Sequence, residues 1–362
     1  MYRTHRGTWP RFDVPLFLAT VLVAVFGLAM VRSAVGTSVG LQGSVERQAV
    51  FLVLGLVMSL VVATVDYRLI TGSAVILYGL GLAGLLAVLV IGAIQHGGQR
   101  WIPIGGFTYQ PSETMKIVLA VALAQYLGPR MAEPWRFRYL VFSGVILAVP
   151  VLLIYAQPDL GTAIVLLVVW AVVIFVAGVK MWHLGVLALA GLAVSPLIWL
   201  QLEPYMQDRV LTLLQPDSNP DAAFISEQAL IAIGAGSIWG QGYGAGSQSQ
   251  LHFLRVRHTD FIFSVIGEEL GFVGSVLVLA LVAFICLRLL RIAQGAPDGA
   301  GRLLATGVAA IIGFQTVVNV GMNLGVLPVT GLPLPFISVG GSAVLAQFLG
   351  IGLAQSVAAR RT

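Results

Sequence analysis

Residues 70–94 read ITGSAVILYGLGLAGLLAVLVIGAI and contain no charged side chain. About 20 consecutive apolar residues are enough for an α-helix to cross the hydrocarbon core of a bilayer. This stretch meets that length, and comparable uncharged runs recur along the whole chain. The pattern predicts a protein whose helices span a membrane several times.

The composition supports the same prediction for all 362 residues. Hydrophobic residues make up 58% of the chain and charged residues 10%, against about 25% charged in ordinary soluble domains. At about 20 residues a span, the apolar content suffices for roughly ten spans. It excludes a soluble globular enzyme, a disordered chain and a disulfide scaffold. The chain has a net charge of +5, but its basic residues are scattered between apolar runs, so no nucleic-acid partner is expected.

The predicted fold is an all-α polytopic membrane protein, a single integral-membrane domain over residues 1–362. Uncharged runs place ten spans near residues 14–33, 47–65, 70–94, 114–128, 137–156, 160–178, 183–201, 260–287, 303–325 and 337–358. An even number of spans puts both termini on one side of the membrane. If that side is the cytoplasm, thirteen of the twenty Lys and Arg residues lie inside, as the positive-inside rule requires.

The acidic residues follow the opposite pattern, because most of them lie at or near the outer face. The one long connection, residues 202–259 between spans seven and eight, also lies outside in this topology. Connections of this length without secondary structure are uncommon unless they are functional. We therefore expect any chemistry at the outer face.

The first polar constellation lies between spans three and four, from Gly98 to Lys116. Pro111 and Ser112 followed by Glu113 are typical of a helix start. Glu113 and Lys116 are three residues apart and therefore neighbours on one helical face. The pair is either a structural ion pair or part of a polar site beside Arg100 and Trp101. Charges at a membrane helix entrance are expensive unless they face a cavity or a partner, which favours the site.

The second constellation is a short outer turn, residues 155–162. Its Asp159 precedes an apolar run, as a helix-capping aspartate does. Capping is the favoured interpretation of this residue, and a place in a polar site is the alternative.

The third constellation opens span eight. Asp260 is expected where the loop becomes helix, and on a continuous helix Glu268 follows about 12 Å further along the axis. Glu269 then falls on another face, so the two glutamates should have different partners. Asp260 is either an N-cap or a functional acid. His258 has no second ligand at metal-binding spacing, which argues against zinc.

The fourth constellation, residues 327–342, contains three prolines and cannot form a regular span. Irregular backbone at membrane depth occurs only where protein covers it or where it lines a cavity. Gly340 and Gly341 permit close approach to their N–H groups, which could bind an anion such as phosphate.

Together these segments resemble the SEDS family of bacterial cell-wall polymerases, the RodA, FtsW and SpoVE group. The resemblance covers nearly the whole chain in the same order and rests on Arg100-Trp101, Gln110 to Glu113 with Lys116, Gln157 to Thr162, Gly246 to Leu251, His258 to Phe263, Gly267 to Phe272 and Pro328 to Pro335. The last segment is closer to the RodA pattern than to that of FtsW. One departure is Arg255-Val256, where the family commonly has Pro-Glu.

The resemblance implies ten membrane helices, a large outer loop between helices seven and eight, and peptidoglycan glycosyltransferase activity on lipid II. It implies Asp260 as the catalytic residue. The matching motifs further imply substrate-binding or supporting roles for Arg100, Trp101, Gln110, Ser112, Glu113, Lys116, Gln157, Asp159, His258, Thr259, Glu268, Ser338, Gly340 and Gly341.

The residue types suit that reaction. Forming a β-1,4 link from an α-linked donor is a single inversion, and a positioned carboxylate can take the proton from the acceptor hydroxyl. The departing pyrophosphate gathers negative charge. Arg100, Lys116, Arg255 or Arg257 would stabilise it, or alternatively a bound Mg²⁺ or Mn²⁺.

Two other functions compete with this interpretation: a flippase for a lipid-linked precursor, and a non-catalytic scaffold for a transpeptidase. The RodA resemblance also implies partners, namely a class B penicillin-binding protein and other elongation-complex proteins. It implies a location in the bacterial cytoplasmic membrane, where the enzyme would serve cell elongation and cell shape.

Overall fold

The computed structural model describes residues 11–36, 43–95, 98–105, 107–133, 136–250 and 257–361. Helices account for most of the described chain. In chain order they are α1 Val14–Val35, α2 Ser44–Thr64, α3 Tyr67–Gly72, α4 Ala74–Ile91, α5 Pro111–Leu127, α6 Phe137–Tyr155, α7 Leu160–Val176, α8 Met181–Gln201, α9 Pro204–Leu214, α10 Pro220–Ala235, α11 Ser247–Gln250, α12 Ile262–Gln294, α13 Gly299–Asn323 and α14 Gly341–Ala359.

Each of the ten predicted spans coincides with one of these helices. Seven helices are long and apolar enough to cross a membrane: α1, α2, α4, α6, α12, α13 and α14. α7 and most of α8 are apolar but shorter by the same measure. The polytopic membrane fold is confirmed, whereas the count of ten spans stays a prediction.

The structure differs from the all-α prediction between α4 and α5. Three short antiparallel strands lie there, β1 Ala93–Gln95, β2 Gly98–Ile104 and β3 Phe107–Tyr109, paired in the order β1-β2-β3. Ile102, Ile104 and Tyr109 belong to these strands. The four glycines of residues 93–109 interrupt this stretch, so that the sequence shows no clear strand pattern there.

The long connection between α8 and α12 also differs from expectation, because much of it is helical. It contains α9, α10 and the single turn α11. Pro204 and Pro220 each stand at the first helical position, where the missing N–H and fixed φ of proline favour helix initiation.

The interior of the bundle is built from α5, α13 and α14. The apolar windows of α13 and α14 are 72% and 78% buried, against 17% for α4. Small residues allow this close packing: a Cβ on Gly352 would lie 2.7 Å from the carbonyl oxygen of Ser59. Gly307 and Ala120 make a similarly close contact between α13 and α5.

The expectation of a continuous span eight is wrong, because α12 breaks at Gly271 (φ 67°, ψ −163°). The break frees backbone groups on both sides, and a glycine-rich loop, residues 236–242, bonds to them. On one side of the break, Gln241 N and Gly242 N of the loop donate to the carbonyl oxygens of Glu268 and Glu269. On the other side, Phe272 N and Val273 N donate to the loop carbonyls of Ser237 and Ile238. The loop thereby replaces the missing helical hydrogen bonds at the break.

Gly271→Ala should destabilise this junction strongly. The left-handed φ disfavours a side chain, and a Cβ would lie 2.4 Å from Gly240 N. Strain of this kind costs on the order of 1–3 kcal/mol, so the thermal transition of purified protein in detergent should fall by several degrees.

Gly79→Ala is the matched control, since a Cβ on Gly79 in α4 has no neighbour within 4 Å. Its transition temperature should stay close to that of the wild type. Equal transition temperatures for Gly271→Ala and Gly79→Ala would contradict the account of the break.

Candidate functional site

A cavity of about 540 Å³ lies where the N-terminal ends of α5, α7, α12 and α14 meet. Strands β2 and β3, helices α9 and α10, and the proline-rich segment 329–333 complete its wall. The residues predicted from sequence that line it are Arg100, Trp101, Gln110, Glu113, Asp159, Thr259, Asp260, Gly340 and Gly341. The fold thus brings together residues from all four constellations.

Asp260 lies in the turn before α12. The N-cap residue of α12 is Phe261, and the cap hydrogen bond at this end comes from the Asn323 side chain, which accepts from Ser264 N. The capping interpretation of Asp260 is therefore wrong. Its side chain lines the cavity, and its Oδ2 lies 3.8 Å from where a Cβ on Gly331 would be.

Two asparagines of α13 hold the backbone of this turn. Asn319 Nδ2 and Asn323 Nδ2 donate to the carbonyl oxygen of Asp260 at 3.1 and 3.0 Å. Asn319 Nδ2 also donates to Leu332 O at 2.9 Å, and Asn323 Oδ1 accepts from Ser264 N at 3.0 Å. One pair of amides therefore ties the start of α12 to the proline-rich segment.

Sequence reasoning missed these asparagines, although a signal was present. They are four residues apart in an apolar helix and thus lie on one face. Polar side chains inside membrane helices rarely occur without a partner or a function.

Glu113 and Lys116 form the predicted intrahelical ion pair. Glu113 Oε2 and Lys116 Nζ are 2.8 Å apart, and their side chains are 4% and 2% exposed. Glu113 reaches the cavity wall, whereas Lys116 lies one turn deeper and does not line it. The lysine thus places a cation directly beside the buried acid, where a lone charge would be costly.

Asp159 is both a cap and a wall residue. Its Oδ1 accepts from Thr162 N at 3.2 Å, which caps α7, and its Oδ2 accepts from Gln110 Nε2 at 3.3 Å. Arg100 Nη1 lies 3.9 Å from Asp159 Oδ1 and its Nε donates to Gln157 O at 3.1 Å. Arg100 also donates to Pro158 O, so its guanidinium spans the turn before α7.

Three predicted residues support the site from outside the cavity. The side chain of Gln157 donates to Leu85 O at 2.9 Å, and Ser112 accepts from Gln110 Nε2 at 3.1 Å. Ser338 Oγ donates to Thr259 O at 2.7 Å and accepts from Leu334 N at 2.8 Å.

The loop before α14 is fixed by a residue that sequence reasoning missed, Gln48 of α2. Its Nε2 donates to Ser338 O at 3.1 Å, and its Oε1 accepts from Gly340 N at 3.3 Å. The N–H of Gly340 therefore already has a protein acceptor. Gly341 packs against Phe51, since a Cβ there would lie 2.6 Å from the ring.

His258 contributes its backbone, because its carbonyl oxygen accepts from Val339 N at 3.0 Å. Burial and the neighbouring charge of Arg257 lower the pKa of the His258 imidazole, which favours its neutral form. Arg257 is buried and donates to Ala34 O. Arg255 and the rest of the departure at 254–256 lie outside the described residues.

Glu268 and Glu269 are fully buried and do not line the cavity. Glu268 Oε1 accepts from Gln248 N at 2.7 Å, and Glu269 accepts from Ser33 Oγ at 2.6 Å. The expectation of different partners is confirmed. The position of Glu268 indicates that it anchors the loop beside α11.

Helix α9 supplies wall residues that no sequence motif pointed to. Arg209 lines the cavity with Asp208 and Thr212. Its Nη1 donates to Val329 O at 2.9 Å. The same atom lies 3.9 Å from where a Cβ on Gly331 would be, and Asp260 Oδ2 lies 3.8 Å from that point. Within the described residues, no group of three acidic, histidine or cysteine side chains could hold a metal ion.

A family model described as "Cell cycle protein", the FtsW, RodA and SpoVE model, matches residues 14–362. The chain belongs to this family. It is 37% identical over 351 residues to the peptidoglycan glycosyltransferase MrdB of Escherichia coli K12, covering 96% of this chain and 94% of that protein. It is 35% identical over 365 residues to the stage V sporulation protein E of Bacillus subtilis, covering 98% of both.

Solved structures of family members have the same fold. A chain of the structure described as "Structural coordination of polymerization and crosslinking by a peptidoglycan synthase complex" matches with a TM-score of 0.81 at 34% identity, covering 97% of this chain and 98% of that one. The rod shape determining protein RodA of Thermus thermophilus matches with a TM-score of 0.75 at 32% identity, covering 98% of both chains.

Asn319→Leu should destabilise the protein, because it leaves the carbonyl of Leu332 without its amide donor and the carbonyl of Asp260 with the amide of Asn323 alone. An unmade buried hydrogen bond costs about 1–3 kcal/mol. The measurement is the thermal transition of the purified protein in detergent.

Gln315→Leu is the control, one turn away on the same helix. Gln315 is fully buried, and neither atom of its amide finds a hydrogen-bond partner among the described residues. Replacing it should leave the transition unchanged or raise it. If the transition temperature falls equally in both variants, the amides of Asn319 and Asn323 are not what holds the turn.

Proposed function

We propose that this protein is a peptidoglycan glycosyltransferase that polymerises lipid II at the outer face of the bacterial cytoplasmic membrane, during cell elongation. The observation that carries the proposal is the place of Asp260: an acid held by its backbone at the wall of a polar cavity. Its family relatives include proteins named peptidoglycan glycosyltransferases, and the chain covers nearly all of their length.

Asp260 serves as the general base in this proposal. The acceptor sugar hydroxyl gives its proton to the carboxylate as its oxygen attacks the anomeric carbon of the donor. The bond from that carbon to the pyrophosphate breaks in the same displacement, which inverts the configuration. The clamp on the carbonyl oxygen of Asp260 fixes the backbone from which the carboxylate reaches the cavity.

The cavity also offers positive charge for the leaving pyrophosphate. Arg100 and Arg209 line it on different walls, one from β2 and one from α9. The first turn of α14, from Gly341 to Ala343, faces the same space, and the N–H groups at a helix start carry partial positive charge. Lys116 acts through Glu113 rather than by direct contact with the substrate.

The proposed partner is a class B penicillin-binding protein that cross-links the new strands. A solved synthase complex that coordinates polymerisation and crosslinking contains a chain with this fold. The similarity to MrdB and to RodA supports a role in the elongation complex.

Asp260→Asn should reduce polymer formation on the order of 10²-fold or more, because the amide cannot accept the proton. Asparagine keeps the size of the side chain, and the backbone clamp does not involve the carboxylate. Folded yield and thermal transition should therefore be close to the wild type. The measurement is glycan polymer formed per minute from labelled lipid II.

Asp217→Asn is the control, an exposed acid in the same outer connection, and should keep full activity. If Asp260→Asn retains more than about a third of wild-type turnover, less than ~1 kcal/mol of barrier is involved. Asp260 would then not be the base.

Both termini are proposed to lie in the cytoplasm, as the positive-inside rule favours. A reporter that is active only in the cytoplasm should work when fused after Thr362. The same reporter inserted at Asp217 should be silent, while an export-dependent reporter there should be active. An export-dependent signal from the Thr362 fusion would overturn the topology.

A further inference from the structure

A basic surface lies at the end of the bundle opposite the cavity. The end of α5, the start of α6, the end of α7 and the start of α8 meet there. Their connections carry Arg130, Arg136, Arg138 and Lys180, against one acid, Glu133, in the described residues 128–133, 136–138 and 177–180. The positive-inside rule alone would account for these charges, but it would not account for the features beside them.

Three of these cations are exposed, and one of them, Arg138, also contacts Tyr139: it lies over the ring and donates to the hydroxyl at 3.5 Å. None of the three, Arg136, Arg138 and Lys180, forms an ion pair with a carboxylate in the part of the chain that the structure describes. The nearby acid, Glu133, accepts instead from the hydroxyl of Tyr139 at 2.5 Å. The surface therefore keeps a net positive charge.

Aromatic side chains border the same surface. Phe137 and Trp182 are 63% and 62% exposed. The ring of His183 joins them, with centroids 6.1 Å from Phe137 and 4.2 Å from Trp182. His183 Nδ1 is buried and has no hydrogen-bond partner among the described residues. Rings of this kind mark the level of lipid headgroups.

An apolar groove of about 520 Å³ starts at this corner and runs between α7 and α8. Phe175, the penultimate residue of α7, and Leu184 in the first turn of α8 lie at its basic end. Trp170 forms part of its wall and is fixed to α6, because its Nε1 donates to Ser143 Oγ at 3.1 Å. The groove is lined by apolar side chains, including Leu167, Ala171 and Ala188.

We propose that this surface is a binding site for an anionic phospholipid, whose phosphate lies at Arg136, Arg138 and Lys180 and whose acyl chain occupies the groove between α7 and α8. The cations match the headgroup charge, and the groove that begins beside them matches a hydrocarbon chain. A zwitterionic lipid would satisfy the groove but not the charge. The site is distinct from the cavity and does not depend on the proposed glycosyl transfer.

The test is native mass spectrometry of the purified full chain with added phosphatidylglycerol or phosphatidylethanolamine. The wild type should retain phosphatidylglycerol in preference to phosphatidylethanolamine. Arg136→Gln with Arg138→Gln should weaken its binding about ten-fold or more, because each cation near the membrane surface contributes to anionic-lipid affinity. Both side chains are exposed, so the thermal transition of the lipid-free variant should match the wild type.

The matched control is Arg291→Gln with Arg302→Gln, which removes the same charge from exposed positions at the same end of the bundle. This control should bind phosphatidylglycerol like the wild type. Ala188→Phe, which fills the groove, should weaken binding without any change of charge.

Several results would overturn the proposal. Equal losses in the two double variants would mean that lipid responds only to total charge. Unchanged binding in Ala188→Phe would place the lipid elsewhere. Equal retention of phosphatidylethanolamine would remove the role of the cations. Full displacement of phosphatidylglycerol by lipid II would make the substrate the occupant of the groove.

Discussion

The structure depends on one constraint: backbone groups that leave regular helix within a membrane protein need partners inside the protein. Three segments leave regular helix: the turn that holds Asp260, the break of α12 at Gly271 and the proline-rich segment before α14. Buried side-chain amides bond the first and third segments, from Asn319, Asn323 and Gln48. Backbone groups of the glycine-rich loop bond the second. The geometry of the site is thus set by how these carbonyls and N–H groups are satisfied.

The same constraint explains why the site is polar without being unstable. Charges of the cavity wall are compensated locally: Glu113 by Lys116, and Asp159 by Arg100 and by the N–H of Thr162. Glu113 and Lys116 are neighbours on one helix, whereas Arg100 reaches Asp159 from β2. In both pairs the adjacent cation limits the cost of burying the acid. The backbone of Asp260 is fixed by the amides of Asn319 and Asn323. Its carboxylate faces the space where a substrate would bind.

Much of this arrangement could be predicted from the sequence, for identifiable reasons. Hydropathy located the helices because spans are long and uniform, and the helix start at Pro111 with the Glu113–Lys116 pair followed from local spacing. The break at Gly271, the strands before α5 and the place of Arg209 depend on contacts between distant segments, which periodicity does not report. Glu268 shows the limit most clearly, since the resemblance implied a supporting role for it at the site, whereas the fold places it outside the cavity, bonded to Gln248 N.

The central claim is that the cavity carries out glycosyl transfer and does not only pass lipid across the membrane. The most direct measurement uses liposomes that contain the purified protein, in the outward orientation, with its transpeptidase partner. Labelled lipid II is supplied only in the outer leaflet, and the products are separated by length. The account predicts glycan polymer under these conditions. If lipid II stays monomeric there, although the protein moves labelled lipid between leaflets, the account is contradicted in favour of a flippase.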